Sequence, residues 1–369
     1  MGMKYSQQLK EKQDYVCSLL EKFGPVAPIR GMENPYYYRN KVQSVFGTDR
    51  KGNTINGIYR AGTHKIIDVR SCMIEDKDAD AVLLTIRSLV KTLGLRPYNE
   101  DLGTGFLRHV LIRKAVATSQ IMVVLVVSSF HFKAQERFVK TLVEKHPNIR
   151  SILLNRNTEK TSMVLGEGEE KVIYGDGYIE DELCHLRFRI SARSFYQVNH
   201  LQAQRLYTIA MRMARFTGHE SVIDAYCGTG TIGLIAAASG ARSVLGIELN
   251  PSAVEDATLN ARLNHLDNAS FICGDAGEKL KELARQKVVC DVLFLDPPRA
   301  GSDERFLSSV IRLSPETVIY ISCNPETLER DLRYLLKMGN YHVVGFQPVD
   351  MFPHTSHVET VVLMSRATD

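Results

Sequence analysis

Ser221-Val222-Ile223-Asp224-Ala225-Tyr226-Cys227-Gly228-Thr229-Gly230-Thr231-Ile232-Gly233 reads as an apolar strand running through a glycine-rich turn into a helix. Gly228 and Gly230 let the backbone turn tightly and approach a ligand with no Cβ in the way. From about residue 191 the same rhythm repeats. Apolar segments at 221–228, 243–249, 269–275, 289–298 and 317–323 are separated, for the most part, by helical segments. That alternation predicts a parallel, doubly wound α/β sheet. The last two segments, 341–350 and 357–365, are joined only by Met351-Phe352-Pro353-His354-Thr355-Ser356. So short a link suits an antiparallel pair and not a crossover.

The front of the chain has a different pattern. Residues 4–23 set Tyr5, Leu9, Val16, Leu19 and Leu20 among Lys, Gln and Glu, an amphipathic helix closed by Gly24-Pro25. Strands dominate from 38 to about 190. Segments 42–48 and 55–62 flank Asp49-Arg50-Lys51-Gly52-Asn53, a hairpin signal; 107–117, 121–129 and 149–155 follow, with one helix over about 133–146. The chain therefore divides into an N-terminal helix (1–25), an α+β domain built mainly on antiparallel pairing (26–190) and an α/β domain (191–369).

A length of 369 residues exceeds one ordinary core, which agrees with two domains. No run approaches the roughly 18 apolar residues of a membrane span, and no charged-then-apolar leader opens the chain. A cytoplasmic protein without a membrane partner is expected, and a monomer. The net charge of +4 is a weak sign of an anionic partner. The cysteines (17, 72, 184, 227, 273, 290 and 323) show no CxxC spacing. They indicate neither a disulfide framework nor a zinc site, and no metal is expected.

Glycines in such a turn serve dinucleotides as well as other nucleosides, so the loop alone decides little. Three details favour S-adenosylmethionine. The pattern is DxxCGTGT, not GxGxxG; Glu248, where a ribose would be gripped, lies 18 positions after Gly230; and Asp275 closes the third strand, where an adenine amino group could be met. In Phe195-Tyr196-Gln197-Val198-Asn199, Gln197 could hydrogen-bond the methionine end and Asn199 could cap the following helix.

Asp296-Pro297-Pro298-Arg299 ends the fourth strand. Ligands of open α/β sheets bind outside the carboxyl ends of strands, so Asp296 faces the same crevice as the glycine loop. Amino-group methyltransferases set an aromatic residue after Asn/Asp-Pro-Pro to stack the base. Arg299 stands there instead, which disfavours chemistry on an exocyclic amine. Ile321-Ser322-Cys323-Asn324-Pro325 places a cysteine at the end of an apolar strand, opening a helix over 325–336. A thiolate there could add to carbon 6 of a uracil and make carbon 5 nucleophilic towards a sulfonium methyl group. A base must then remove the carbon-5 proton so that elimination frees the cysteine. The helix start is expected to lower the Cys323 pKa. Glu359, in the mostly apolar stretch 357–364, is the natural base, since a buried carboxylate needs a reason. Asp296 would hold the ring or its developing charge. Alone, Cys323 reads equally as a structural thiol and Glu359 as a solvated residue; together with Asp296 and in this order, the chemical reading prevails.

FYQVN (195–199), DAYCGTGTIGL (224–234), IELN (247–250), DPPRAG (296–301), SCNPETLERD (322–331) and HVETVVLM (357–364) resemble the RNA uracil-5-methyltransferase family, as do YRNKV (38–42) and LRHVLIR (107–113). The HVE ending and the LRHVLIR block resemble its ribosomal RNA branch more than its transfer RNA branch. The resemblance implies a Rossmann-like, S-adenosylmethionine-dependent catalytic domain behind an RNA-binding α+β domain. It implies Cys323 as nucleophile, Glu359 as base, and cofactor contacts at Gln197, Tyr226, Glu248 and Asp296, beside Gly228, Gly230 and Asp275. The expected activity is methylation of carbon 5 of a uridine in 23S ribosomal RNA, or else in transfer RNA. Many ribosomal members begin with a small β-barrel and hold an iron–sulfur cluster on CxxxxxCxxC and one later cysteine. Only Cys72 resembles any of those ligands, so neither barrel nor cluster is expected; a shortened chain or a member without the cluster fits equally.

RNA contact is expected in the front domain, where aromatic and cationic residues mix: Tyr38, Arg39, Lys41, Arg108, His109 and Arg113, joined by Arg299 at the crevice. A solvated face or structural ion pairs would explain about half of them. A non-catalytic RNA-binding protein is a rival that the intact Cys323, Glu359 and glycine loop oppose. A nicotinamide dehydrogenase is more distant still.

Overall fold

The computed structural model describes residues 3–367; the expected outer limits at residues 1 and 369 lie outside them. Two compact units emerge. One comprises the chain up to Pro35, Leu183–Phe188 and everything from Ser194; the other comprises Tyr36–Glu182 and Arg189–Arg193. The N-terminal helix α1 (Tyr5–Leu20) belongs to the first unit and buries Val16 and Leu20 there.

The second unit holds strands β1 (Lys41–Thr48), β2 (Thr54–Tyr59) and β3 (Ile66–Asp68), helix α2 (Lys77–Thr92), strands β4 (Leu107–Lys114) and β5 (Ile121–Val127), helix α3 (Gln135–Lys145), and strands β6 (Ile149–Arg156) and β7 (Glu170–Gly175). The sheet runs β3-β2-β1-β4-β5-β6-β7. All its pairs are antiparallel except β5 with β6, which α3 connects. The β1–β2 turn closes because Asp49 accepts from the amides of Lys51 and Asn53, both at 2.8 Å, and Gly52 takes φ 81°. Helix α2 was not anticipated. Its start is fixed by Asp76, which accepts from Asp78 and Ala79 N–H groups, and Val82, Ile86 and Val90 pack into the core with Val110, Ile112 and Val123. A two-stranded sheet, β8 (Tyr178–Leu183) with β9 (Leu186–Ser191), follows.

The rest of the first unit alternates as expected: α4 (His200–Ala214), β10 (Ser221–Ala225), α5 (Thr231–Ala238), β11 (Ser243–Glu248), α6 (Pro251–Leu263), β12 (Ala269–Cys273), α7 (Ala276–Arg285), β13 (Val292–Leu295), α8 (Glu304–Leu313), β14 (Thr317–Ser322), α9 (Pro325–Met338), β15 (Tyr341–Val349) and β16 (Glu359–Arg366). The sheet order is β12-β11-β10-β13-β14-β16-β15. The strand order reverses next to β10, the topology of a Rossmann-like fold. The last strand enters antiparallel between β14 and β15. Ala203, Ala210 and Ala214 are buried on α4, and small side chains let a helix approach closely whatever it packs on.

Candidate active site

The cofactor half is built at the carboxyl ends of β10–β13. Beyond β10 the chain passes through Tyr226, Gly228 and Gly230, all with positive φ. A Cβ on Gly230 would meet Phe271 at 2.9 Å and Ala257 at 3.0 Å, whereas one on Gly228 would meet nothing within 4 Å. Gly230 is thus required by packing, and Gly228 leaves an open cradle. Glu248 holds the loop: its Oε2 accepts from the Gly228 N–H at 3.0 Å and its Oε1 from the Asn250 N–H at 2.8 Å. Leu249 beside it is 68% exposed, an apolar face in the open. Asp275 caps α7 by accepting from the Glu278 N–H at 2.9 Å. The ring of Tyr226 lies 4.9 Å from that of Phe306, and a cavity of about 390 Å³ is lined by both and by Asp275. Asp224, fully buried, accepts from the Gly233 N–H at 2.7 Å through one oxygen and has no partner for the other. Burial pushes its carboxyl up to about 8. The open cradle, carboxylates at successive strand ends and an orphaned buried oxygen fit a nucleoside carrying hydroxyl and amino groups.

The catalytic half is set by strand register. β14 and β16 pair Ile321 with Val361 and Ser322 with Thr360. Cys323 directly follows Ser322 and Glu359 directly precedes Thr360, so the two flank that cross-strand pair, and Glu359 acts electrostatically on Cys323. Asp296, just beyond β13, acts electrostatically on Cys323, Glu359 and Asp224 alike. It therefore joins the two halves. Burial pushes Asp296 up to about 7; burial and then Asp296 push Glu359 up to about 8. The Cys323 thiol is not lowered as its place before α9 suggests. Burial, Glu359 and Asp296 push it up to about 11, and the opposing pull of Arg299 is weaker. The 296–302 turn is tied to α9: the Arg330 guanidinium donates to the carbonyls of Ala300 and Ser302 at 3.0 and 2.9 Å, and Asp331 accepts from the Ser302 N–H at 2.8 Å.

Gln197 is buried and hydrogen-bonds the phenol of Tyr207, and Asn199 caps α4. Tyr207, 2% exposed, lies in the field of Asp296, Glu359 and Asp224. It had no part in the expected site, because a tyrosine in an amphipathic helix looks like any core residue. His357 was equally unassigned; its Nδ1 lies 3.3 Å from the exposed Arg299 guanidinium.

The expected RNA contacts divide sharply. Arg108 is 3% exposed and wholly engaged: Nε and Nη2 donate to Glu100 at 2.6 and 2.8 Å, and the guanidinium also donates to the carbonyls of Asn157, Glu159 and Thr161. It is a structural ion pair and not a phosphate contact. His109 is kept neutral, pushed down to about 4 by burial and the neighbouring Arg108 charge. Tyr38 is buried in the core and Arg113 is buried in β4, which removes both from the exposed set. Lys41 pairs across the sheet with Arg113; burial, Arg113 and Arg39 bring it down to about 8. Arg39 and Lys41 remain partly exposed, and Arg299 is exposed.

A family model described as tRNA (uracil-5-)-methyltransferase matches residues 4–367. An uncharacterized RNA methyltransferase of Bacillus cereus is 41% identical, covering 98% of this chain and 79% of that protein. Another, of Halalkalibacterium halodurans, is 42% identical over 98% of this chain and 79% of its own. Among solved structures, the Pyrococcus abyssi tRNA (uracil-54, C5)-methyltransferase in complex with S-adenosyl-L-homocysteine superimposes with a TM-score of 0.82. It is 26% identical, over 98% of this chain and 84% of that one.

Proposed function

The chain belongs to the tRNA (uracil-5-)-methyltransferase family and is an S-adenosylmethionine-dependent RNA uracil-5-methyltransferase; from that premise we propose that it methylates a uridine of 23S ribosomal RNA through a covalent cysteine adduct. The observation that supports the covalent route is that Cys323 and Glu359 flank the Ser322–Thr360 cross-strand pair, with Asp296 acting electrostatically on both. Bound S-adenosylmethionine supplies the electrophilic methyl carbon. Gln197, Tyr226, Gly228, Gly230, Glu248 and Asp275 would hold it, with Asp296 at its border.

The Cys323 thiol loses its proton to solvent and its sulfur bonds to carbon 6 of the uracil, which leaves Glu359 free for the later proton transfer. The carbon-5–carbon-6 π electrons shift towards the oxygen on carbon 4, and carbon 5 becomes the nucleophile that accepts the methyl group. A carboxyl that keeps its proton to about pH 7, as Asp296 does, can donate to the oxygen where charge gathers. Glu359 then takes the carbon-5 proton. The electrons left behind restore the double bond and expel the Cys323 thiolate. Only the carboxylate form of Glu359 accepts, and with its carboxyl raised to about 8 that form grows as pH rises from neutral. Arg39 and Lys41 of the second unit, and Arg299 at the crevice, would contact the RNA.

The LRHVLIR and HVE blocks support ribosomal RNA. Transfer RNA is the second reading, favoured by the match to the Pyrococcus abyssi tRNA (uracil-54, C5)-methyltransferase. The test is methylation of purified 23S ribosomal RNA and of bulk transfer RNA, with 5-methyluridine mapped on each. Product confined to transfer RNA would overturn the ribosomal assignment. Cys323→Ala should abolish turnover and leave S-adenosylhomocysteine binding intact, and RNA containing 5-fluorouracil should trap a protein adduct. A Cys323→Ala protein with even about a tenth of wild-type activity would end the nucleophile assignment.

A further inference from the structure

The segment that delivers Glu359 to the site, residues 350–358, is gripped by the N-terminal helix. Lys12 Nζ lies 2.6 Å from Asp350 Oδ1, with side chains 6% and 0% exposed. The Tyr5 hydroxyl donates to Asp350 Oδ2 at 2.8 Å and accepts from the Met32 N–H at 2.9 Å. Lys12 also donates to the Phe352 carbonyl at 3.1 Å. One turn away, the Gln8 side chain lies 3.2 Å from His354 Nδ1 and accepts from the His354 N–H at 3.0 Å. Helix α4 holds the same segment: Asn199 donates to the Met351 carbonyl and Gln202 to the Asp350 carbonyl, both at 2.9 Å. β15 pairs Val349 with Glu359, so Asp350 directly follows the cross-strand neighbour of the base.

A buried ion pair is a poor device for stability. Desolvating both charges offsets their attraction, and apolar residues of the same volume often serve better. What such a pair supplies is direction, because each remaining lone pair and proton must find one partner. Here the Asp350 carboxylate is met on one oxygen by Lys12 and on the other by Tyr5, which pins the first residue of the segment. At its far end His357 meets Arg299 and also lies in the field of Lys12.

We propose that Lys12, Asp350 and Tyr5 form a positioning device that holds residues 350–358 in one conformation and thereby keeps the Glu359 carboxyl facing the Cys323 adduct. This rests on the reading of Glu359 as the base. The device acts on one step only. Attack by Cys323 and methyl acceptance depend on β14, α9 and the 296–302 turn, to which the hydrogen bonds of Lys12, Asp350 and Tyr5 do not run. Removal of the carbon-5 proton depends on where Glu359 stands.

The test separates these steps. Asp350→Asn and Tyr5→Phe should fold, bind S-adenosylhomocysteine as the wild type does and form the methylated adduct at an undiminished rate. Release of product should slow by about 10- to 100-fold, the cost of a misplacement near 1 Å. The adduct should then stand as a shifted band on a denaturing gel with ordinary RNA. Lys12→Arg, which keeps the charge opposite Asp350, should release product as the wild type does. If Asp350→Asn does not fold, Tyr5→Phe decides, since it removes only a hydroxyl. Equal slowing of adduct formation and release, or normal release in a folded variant, would overturn the proposal. Glu359→Gln is the control. Adduct with Glu359→Gln but none with Asp350→Asn or Tyr5→Phe sinks the positioning role alone; no adduct with Glu359→Gln sinks the base assignment beneath it.

Discussion

Replacing Glu359 by glutamine should make the protein markedly less sensitive to alkaline pH. The side chain is 4% exposed, and burial with the adjacent Asp296 raises its carboxyl from 4.5 to about 8. A carboxyl raised on folding binds its proton more tightly in the native state than in the unfolded chain. Its contribution to stability is therefore complete below pH 4.5 and is lost as pH rises through 8. Within that window each pH unit is worth about 1.4 kcal/mol, so between pH 6 and pH 8 Glu359 should remove about 2 kcal/mol. Glutamine has nearly the same volume and nothing to ionise. Urea denaturation of wild type and Glu359→Gln at pH 6 and pH 8 measures the difference. The variant should gain about 2 kcal/mol on the wild type between the two pH values. Asp224 and Asp296 remain in both proteins and largely cancel. Parallel loss in the two proteins would mean that Glu359 is ionised in the native state throughout, and the raised carboxyl on which the prediction rests would fall.

Arg108→Met should destabilise the protein by about 3 kcal/mol, because it strands the partly buried Glu100 carboxylate and three carbonyls. Thermal denaturation checks this, and the salt dependence of RNA binding should not change. Removing Arg39 and Lys41 together should flatten the plot of log RNA affinity against log salt by roughly one to two units at pH 7. Because Lys41 gives up its proton near pH 8, the effect should shrink by about half at pH 9, and an unchanged slope at pH 7 would place the RNA track elsewhere. Gly230→Ala should weaken S-adenosylhomocysteine binding by at least about ten-fold in calorimetry, since φ 81° and contacts with Phe271 and Ala257 both oppose a methyl group.

Much of the architecture was legible because it is written in local chemistry. Strand–helix alternation after residue 191, glycines where φ must be positive, and a six-residue link too short for a crossover are properties of neighbours along the chain. They lead to the Rossmann-like sheet and its antiparallel last pair without reference to anything distant. Helix α2 lies among strands, and only Asp76 and the period of Val82, Ile86 and Val90 mark it locally.

What no local pattern contains is burial, and burial decides charge. LRHVLIR shows two arginines and a histidine, the composition of an RNA-binding strand. Only the packed structure spends Arg108 on Glu100 and holds His109 neutral. The place of Cys323 before a helix argues for a low pKa, yet burial, joined by the Glu359 and Asp296 carboxyls, reverses the sign. Tyr207, Lys12 and Asp350 look like a core aromatic, a helix-surface cation and a loop acid. Chain folding joins Lys12 to Asp350 across more than three hundred residues and sets Tyr207 in the field of Asp296 and Glu359, in a medium that penalises every unpaired charge.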